Sequence, residues 1–262
     1  MLSVSDLRIR LGQKDVLHGI TLEALPGTVT CIVGPNGSGK TTTLRAMTGD
    51  VAYSGTVTLN DHTLKDLKPW EAAALRGVLP QASTLAFPFT VIEVVRIGLQ
   101  AGTRGDDDQI AMQALARVDL EGYANRFYQE LSGGEQQRVQ LARVLAQIPA
   151  PVTKDGPRWL FLDEPVSSLD IAHQLQVMTI VSRFARAGGG AVAVMHDLNL
   201  SAMFADQIIL LAEGCCVAAG SPKEVMRDDT LSRAYGCALR VCAPPPADVP
   251  YLLPHSAALA AE

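Results

Sequence analysis

Residues 34–41 read Gly-Pro-Asn-Gly-Ser-Gly-Lys-Thr, the spacing G-x-x-x-x-G-K-[ST]. Glycine at 34, 37 and 39 lets a backbone turn its amides inward and approach phosphate oxygens closely. Lys40 would reach the β- and γ-phosphates of a nucleotide, and the Thr41 hydroxyl would bind Mg²⁺. A second cluster is Asp163-Glu164, which follows the apolar run Trp159-Leu160-Phe161-Leu162. Here Asp163 can hold Mg²⁺ through its water shell, and Glu164 can polarise an attacking water as general base. A third cluster is Leu131-Ser132-Gly133-Gly134-Glu135, continued by Gln136-Gln137-Arg138. Ser132 with Glu135 three residues on makes a capping box and predicts a helix start. An ordinary cap explains those two residues but not Gly133-Gly134, which weaken a first turn and keep the entrance clear for an anion.

Each cluster needs an element to aim it. The run Val29–Val33 predicts a buried strand ending at the phosphate loop, with a helix opening near Lys40 and running through Leu44 and Met47. That strand, turn and helix are the context the loop requires. Residues 159–162 predict a second buried strand with the two carboxylates at its C-terminal end, where open α/β sheets place ligands. Further strands are expected at 4–10, 20–23, 56–60, 191–195 and 207–211, and a helix at 171–187. Val91, Val94, Val95 and Leu99 share one helical face, and Ile110, Met112, Ala114, Leu115 and Val118 suggest another. Asp106-Asp107-Asp108 between them reads as a solvated loop and helix start. The alternation of strands and helices favours a largely parallel sheet covered on both faces. No internal repeat is present. The stretch 243–262, with Pro244-Pro245-Pro246, Pro250 and Pro254, reads as an extended appendage.

Composition narrows the function class. The 262 residues suit one large domain, or a domain with an inserted lobe. A net charge of −5 argues against a surface that tracks nucleic acid. No apolar run is long enough to span a bilayer and no leader is apparent, so a cytoplasmic location is expected. The five cysteines lack metal-site spacing and read as structural thiols, Cys31 as a small core residue.

The motif around Ser132 closely resembles the signature of ATP-binding-cassette ATPases, L-S-G-G-Q in its commonest form, and the other clusters stand in the family's order over residues 2–240. The resemblance implies an α/β fold: a P-loop NTPase (ABC ATPase) with a RecA-like core, an N-terminal antiparallel β subdomain and an inserted α-helical subdomain. One ABC ATPase domain would cover 1–242, with catalytic core and β subdomain in 1–81 and 135–242, and the helical subdomain in 82–134. ATP and Mg²⁺ are the implied ligands. Gly34, Pro35, Asn36, Gly37, Ser38, Gly39, Lys40, Thr41 and Thr42 would hold the nucleotide from one side. Ser132, Gly133, Gly134 and Glu135 would hold it from a second subunit, giving a head-to-tail homodimer around two nucleotides. Gln81 resembles the glutamine that joins Mg²⁺ and the attacking water to the helical lobe, so the implied metal contacts are Thr41, Gln81 and Asp163. Asp170, in Ser168-Leu169-Asp170, matches the loop that crosses the dimer interface. His196, in Val194-Met195-His196-Asp197, matches the switch histidine at the γ-phosphate. Glu164 and His196 are the implied catalytic pair.

Three positions depart from the family pattern. Leu11 stands where an aromatic residue usually stacks on adenine, so an apolar contact from Leu11 or the stem of Arg10 is expected instead. Glu135 replaces the usual glutamine and should still cap its helix. Val166 replaces a threonine with little expected effect. Such domains attach to membrane-spanning permease subunits, and the segment 81–91 would form part of the groove that receives them. Phe87 and Phe89 there either face that partner or fill the core. Finer stretches, among them 79–83, 155–159, 169–174 and 195–200, resemble the ATP-binding subunits of haemin importers, and more weakly those serving iron siderophores and vitamin B12. The resemblance therefore implies an ATPase coupled to haemin uptake. It would sit peripherally on the cytoplasmic face of the inner membrane, with a periplasmic substrate-binding protein as an indirect partner and no nucleic acid. A chromosome-maintenance ATPase would need a long coiled-coil or zinc insertion between Gln81 and Leu131, where the stretch is short and lacks heptads. A small GTPase would need an N-K-x-D motif, which is absent. A non-hydrolysing nucleotide scaffold is opposed by Glu164 and His196.

Overall fold

The computed structural model describes residues 1–81, 85, 87–102, 107–246 and 248–254. The chain opens with a long antiparallel hairpin, Leu2–Leu11 (β1) and Lys14–Ala24 (β2). Alternate residues of β1 and β2 are buried, as a sheet with one wet face requires. Next come Val29–Val33 (β3), the phosphate loop and Lys40–Met47 (α1). Ser54–Leu59 (β4) returns to pair with β1, and His62–Thr63 (β5) extends that sheet to the order β2-β1-β4-β5. Pro69–Leu75 (α2) then leads into Arg76–Leu79 (β6).

The middle of the chain is helical: Val91–Ala101 (α3), Asp108–Ala116 (α4) and Gly133–Gln147 (α5). All four residues of the first expected stripe, Val91, Val94, Val95 and Leu99, are fully buried. The second stripe needs one correction, because Met112 is exposed and Ala111 is buried in its place. Residue 112 lies two positions, about 200°, from Ile110 and faces away from it. Gly98 and the adjacent Gly102 let α3 lie directly on α5; a Cβ at either would meet Arg143 O at 2.0 Å or Gln147 O at 2.2 Å. Asp107 caps α4, whereas Asp106 lies outside the described residues, as do 82–84, 86, 247 and 255–262 of the two segments expected above.

A short hairpin, Val152–Thr153 (β7) with Gly156–Pro157 (β8), precedes Trp159–Asp163 (β9). Then follow Ile171–Arg186 (α6), Gly190–Val194 (β10), Leu198–Phe204 (α7), Gln207–Ala212 (β11), Cys215–Gly220 (β12), Pro222–Val225 (α8) and Asp228–Tyr235 (α9). The central sheet has the order β12-β11-β3-β10-β9-β6 and is parallel except for β12. Every residue of β3, β9 and β10 is buried, so both faces of the sheet are covered. The period of two divides them cleanly. Cys31, Leu160, Leu162, Ala191 and Ala193 join the core under the helices, while Ile32, Trp159, Phe161, Val192 and Val194 join the core under β1, β2 and α1. Asn60 ties the two sheets together: its Oδ1 accepts from Trp159 Nε1 at 3.0 Å and its Nδ2 donates to Pro157 O at 2.6 Å.

All five cysteines are free. Cys31 is buried, and that burial pushes its thiol pKa up to about 12, leaving it inert at physiological pH. Among the described residues no helix is long and apolar enough to cross a membrane.

Candidate active site

The phosphate loop bridges β3 and α1, and its glycines are needed by its own geometry. Gly34 has φ +146° and Gly39 φ +96°; a Cβ would lie 2.0 Å from Leu211 O at the first and 2.5 Å from Leu17 Cδ2 at the second. At Gly34 both the dihedral and a backbone oxygen exclude a side chain, whereas at Gly39 the dihedral is the obstacle, because the end of Leu17 can give way. The N-terminus of α1 carries no side-chain cap and no acidic residue, so its amides are left for an external acceptor. The Lys40 ammonium folds back over the loop, donating to Gly34 O at 2.9 Å and Pro35 O at 3.0 Å. Burial lowers its pKa, with the charges of Glu164 and Asp163 opposing. Ser38 Oγ is buried with no hydrogen-bond partner. An orphaned hydroxyl, uncapped amides and a lysine resting on carbonyls together fit a polyphosphate.

The carboxylates come from the end of β9. Asp163 is only 4 % exposed and accepts from Thr41 Oγ1 at 3.0 Å. Burial raises its pKa, partly offset by the Thr41 bond. Glu164 adopts φ +51°, a left-handed conformation uncommon outside glycine. Its N–H donates to Val194 O at 3.1 Å, and its carbonyl accepts from Ser167 Oγ at 3.2 Å and Gln137 Nε2 at 3.0 Å. So held, the chain turns the side chain toward His196, whose Nε2 lies 2.6 Å from Glu164 Oε1. Asp197, next to that histidine, caps α7 through the N–H groups of Asn199 and Leu200 and so fixes where α7 begins.

A cleft of about 740 Å³ unites these parts, lined by Asn36, Gly37, Gly39, Lys40, Thr41, Thr42, Gln81, Glu164 and His196. Its remaining walls are Lys14 and Val16 on β2. Leu11 and Arg10, expected to stand in for the missing aromatic, do not line it. Leu11 is exposed, and Arg10 turns to Gln13 O and Asp15 on its own hairpin. The hairpin turn carries Leu11 past the cleft and brings Val16 onto it. The Val-Leu pair at 16–17, between Asp15 and His18, was the available signal for Val16. No group of three or more His, Cys, Asp or Glu residues among those described could hold a metal alone. The Thr41–Asp163 pair is thus a partial oxygen set for a hard cation, to be completed by phosphate and water oxygens.

Ser132, Gly133, Gly134 and Glu135 open α5 outside this cleft. The expected capping box is present: Glu135 Oε2 accepts from Ser132 N at 2.8 Å and Ser132 Oγ at 2.7 Å, and Ser132 Oγ accepts from Glu135 N at 3.3 Å. The Ser132 bonds hold the Glu135 carboxyl below its ordinary pKa. Gly134 packs against the 168–169 turn, where a Cβ would meet Leu169 Cδ2 at 3.2 Å and Ser168 O at 3.3 Å. Gly133 has nothing within 4 Å of a built Cβ. Asp170 caps α6, accepting from His173 N at 3.0 Å and pairing with His173 Nδ1 at 2.9 Å. Within one chain, then, Ser132, Glu135 and Asp170 are not among the residues that line the nucleotide cleft.

Comparison with known proteins agrees with this arrangement. Residues 17–167 match the family model for ABC transporter. A hemin import ATP-binding protein HmuV of Jannaschia sp. (strain CCS1) is 62% identical over 257 residues, spanning 98% of this chain and 95% of the relative. The protein of the same name in Rhizobium meliloti (strain 1021) is 56% identical over 262 residues, spanning 99% and 100%. Among solved structures, a dimeric bacterial ABC transporter cassette superposes with TM-score 0.74 at 27% identity, covering 85% of this chain and 99% of that chain. A dimeric post-hydrolysis cassette bound to ADP and Pi gives TM-score 0.73 at 26% identity over the same shares. With the phosphate loop, the strand-end carboxylates and the capped glycine helix all in family order, the chain belongs to the ABC transporter family, in the branch that holds these hemin import ATP-binding proteins.

Proposed function

We propose that this chain is the ATP-hydrolysing subunit of a haemin importer, working as a homodimer on the cytoplasmic face of the inner membrane beneath a pair of permease subunits. The observation that carries the chemistry is the Glu164–His196 contact of 2.6 Å at the mouth of a cleft shaped for a polyphosphate. ATP lies with its phosphates along residues 34–42, and Lys40 shifts from the loop carbonyls to the terminal phosphates. Thr41 and Asp163, which already share a hydrogen bond of 3.0 Å, would hold Mg²⁺ together with Gln81, and the cation would offset phosphate charge. Glu164 orients the attacking water and accepts its proton, and His196 positions Glu164 and the terminal phosphoryl group. Gly133 is unconstrained by its own chain, which supports the view that its open face serves the other subunit's nucleotide. Ser132, Gly134 and Glu135 present that face, and Asp170 meets the partner across the interface. Phe87, 68 % exposed and edge-on to the half-buried Phe89 at 6.3 Å, marks the permease-facing side. The cargo follows from the names of the relatives; a periplasmic binding protein would deliver haemin to the permease.

Glu164→Gln tests the mechanism. ATP binding should persist, steady-state hydrolysis should fall by about 10²–10⁴-fold, the range for a lost general base, and a nucleotide-loaded dimer should accumulate on size-exclusion chromatography. Normal turnover by this variant would refute the role given to Glu164. In a strain deleted for the gene, the wild-type chain but not Glu164→Gln should restore growth on haemin as iron source. Restoration of growth only on a ferric siderophore would reassign the cargo.

A further inference from the structure

We infer that Gln137 is a positioning residue for Glu164 of its own chain, so that the pose of the carboxylate follows the pose of the helix opened by Ser132; this rests on the shared-site reading above. Glu164 is a non-glycine residue at φ +51°, a conformation that persists only where neighbours hold it. Two holds are local to the strand end. The Glu164 N–H bonds Val194 O on the neighbouring strand, and Ser167 closes the turn through its own N–H and Oγ. The third comes from another element: Gln137 Nε2, just over one turn into α5, donates to Glu164 O at 3.0 Å. The carbonyl carbon is bonded directly to the Glu164 Cα, so a displacement of this held carbonyl that shifts the Cα carries the side chain away from His196.

The rest of α5 makes that link transmit position. Arg143 donates to Val78 O at 3.1 Å, and Gln147 donates to Ala73 O at 2.9 Å and Arg76 O at 3.0 Å. The helix is thereby anchored to β6, the strand leading to Gln81. Gly98 and Gly102 bring α3 into backbone contact with α5 at Arg143 and Gln147. Held along its length, the helix moves as a body when its N-terminus is engaged. Gln137 also borders a small hollow of about 180 Å³ with Gln81 and Gly133.

The experiment uses importer complexes assembled from two distinguishable full-length copies. Lys40→Ala in copy two leaves one working centre, built from the phosphate loop and Glu164 of copy one and the α5 entrance of copy two. Gln137→Leu, which keeps bulk but loses the donor, is placed on either copy. On copy one it should lower kcat about tenfold, equivalent to about 1.4 kcal/mol, with KM for ATP moving less than twofold. On copy two the loss should be at least fivefold smaller, and Gln137→Lys on copy one, which restores a donor, should recover most of the rate. Equal losses from both copies, a larger loss from copy two, or no recovery with lysine would overturn the inference while leaving the shared centre intact. Ser132→Arg is the separate control and should abolish hydrolysis only from copy two. Abolition from copy one with little effect from copy two would bring down the shared arrangement and this inference with it.

Discussion

The entrances of α1 and α5 are both rich in glycine and both suited to an anion, yet their glycines answer to different demands. At α1, Gly34 and Gly39 are required by the chain itself, both through positive φ and Gly34 also through a contact to Leu211 O that leaves no room for a Cβ. At α5, Ser132 and Glu135 already complete a capping box, Gly134 has only a snug neighbour, and Gly133 has none. A residue that its own chain does not constrain, at a helix start that glycine weakens, points to a constraint applied from outside. The first entrance is half a site that one chain can shape alone. The second is left open by its own chain, as the proposed contact with another copy requires.

Alanine substitutions can break this distinction. Gly34→Ala should cost about 3 kcal/mol of folding stability, since the strained φ and the clash with a backbone oxygen have no cheap relief. A denaturation midpoint close to wild type would show that the loop relaxes, and the contrast would fail. Gly133→Ala should leave stability within about 1 kcal/mol of wild type, in the direction of a gain from helix propensity. Its hydrolysis rate should nevertheless fall about tenfold or more, because displacement of a group at a reacting centre by a methyl's width is costly. A stability loss like that of Gly34→Ala would mean the glycine serves the monomer after all.

The sequence made the first entrance far more legible than the second. Short, largely apolar runs next to glycine or carboxylate identify β3, β9 and β10, because strands buried on both faces read as nearly continuous hydrophobic stretches. Elements that combine few apolar residues with small or charged ones escape the same reading. β6, Arg76-Gly77-Val78-Leu79, contains an arginine and a glycine, and β12 is an edge strand of small residues with Val217 as its one larger apolar side chain. The first half of β2 carries Lys14, Asp15 and His18, which hid its extent and with it the place of Val16 in the cleft. Pattern reading assigned Met112 to the core because its own side chain is apolar; only the angle around α4 excludes it. Gln137 gave no signal, since a glutamine beside two others on a polar helix face is unremarkable until the backbone of Glu164 is placed under it.

Each entrance also has a carboxylate bonded to it, Asp163 through Thr41 and Glu135 through Ser132, and the two are tuned in opposite directions, which gives the finest test of the comparison. Burial raises the pKa of Asp163, while the Ser132 hydrogen bonds lower that of Glu135. A carboxyl with a raised folded-state pKa contributes stability that is complete below its unfolded pKa and is lost as pH rises through the raised value. At pH 7 Asp163 is therefore a liability to the nucleotide-free fold, and Asp163→Asn should raise its melting temperature by a few degrees. That advantage should shrink as pH falls through the raised pKa. Glu135 has the opposite sign: its contribution is present above the unfolded pKa and is lost as pH falls through the depressed one. Glu135→Gln should therefore melt slightly below wild type at pH 7, by less than the Asp163→Asn gain because the site is open to solvent screening, and should converge on wild type in acid. Melting curves from pH 4 to 8 on nucleotide-free protein decide the matter. Shifts of the same sign at neutral pH would mean that the phosphate-loop carboxylate is as well satisfied by its own chain as the one that caps α5, and the α1 entrance would then be complete before any nucleotide or cation arrives.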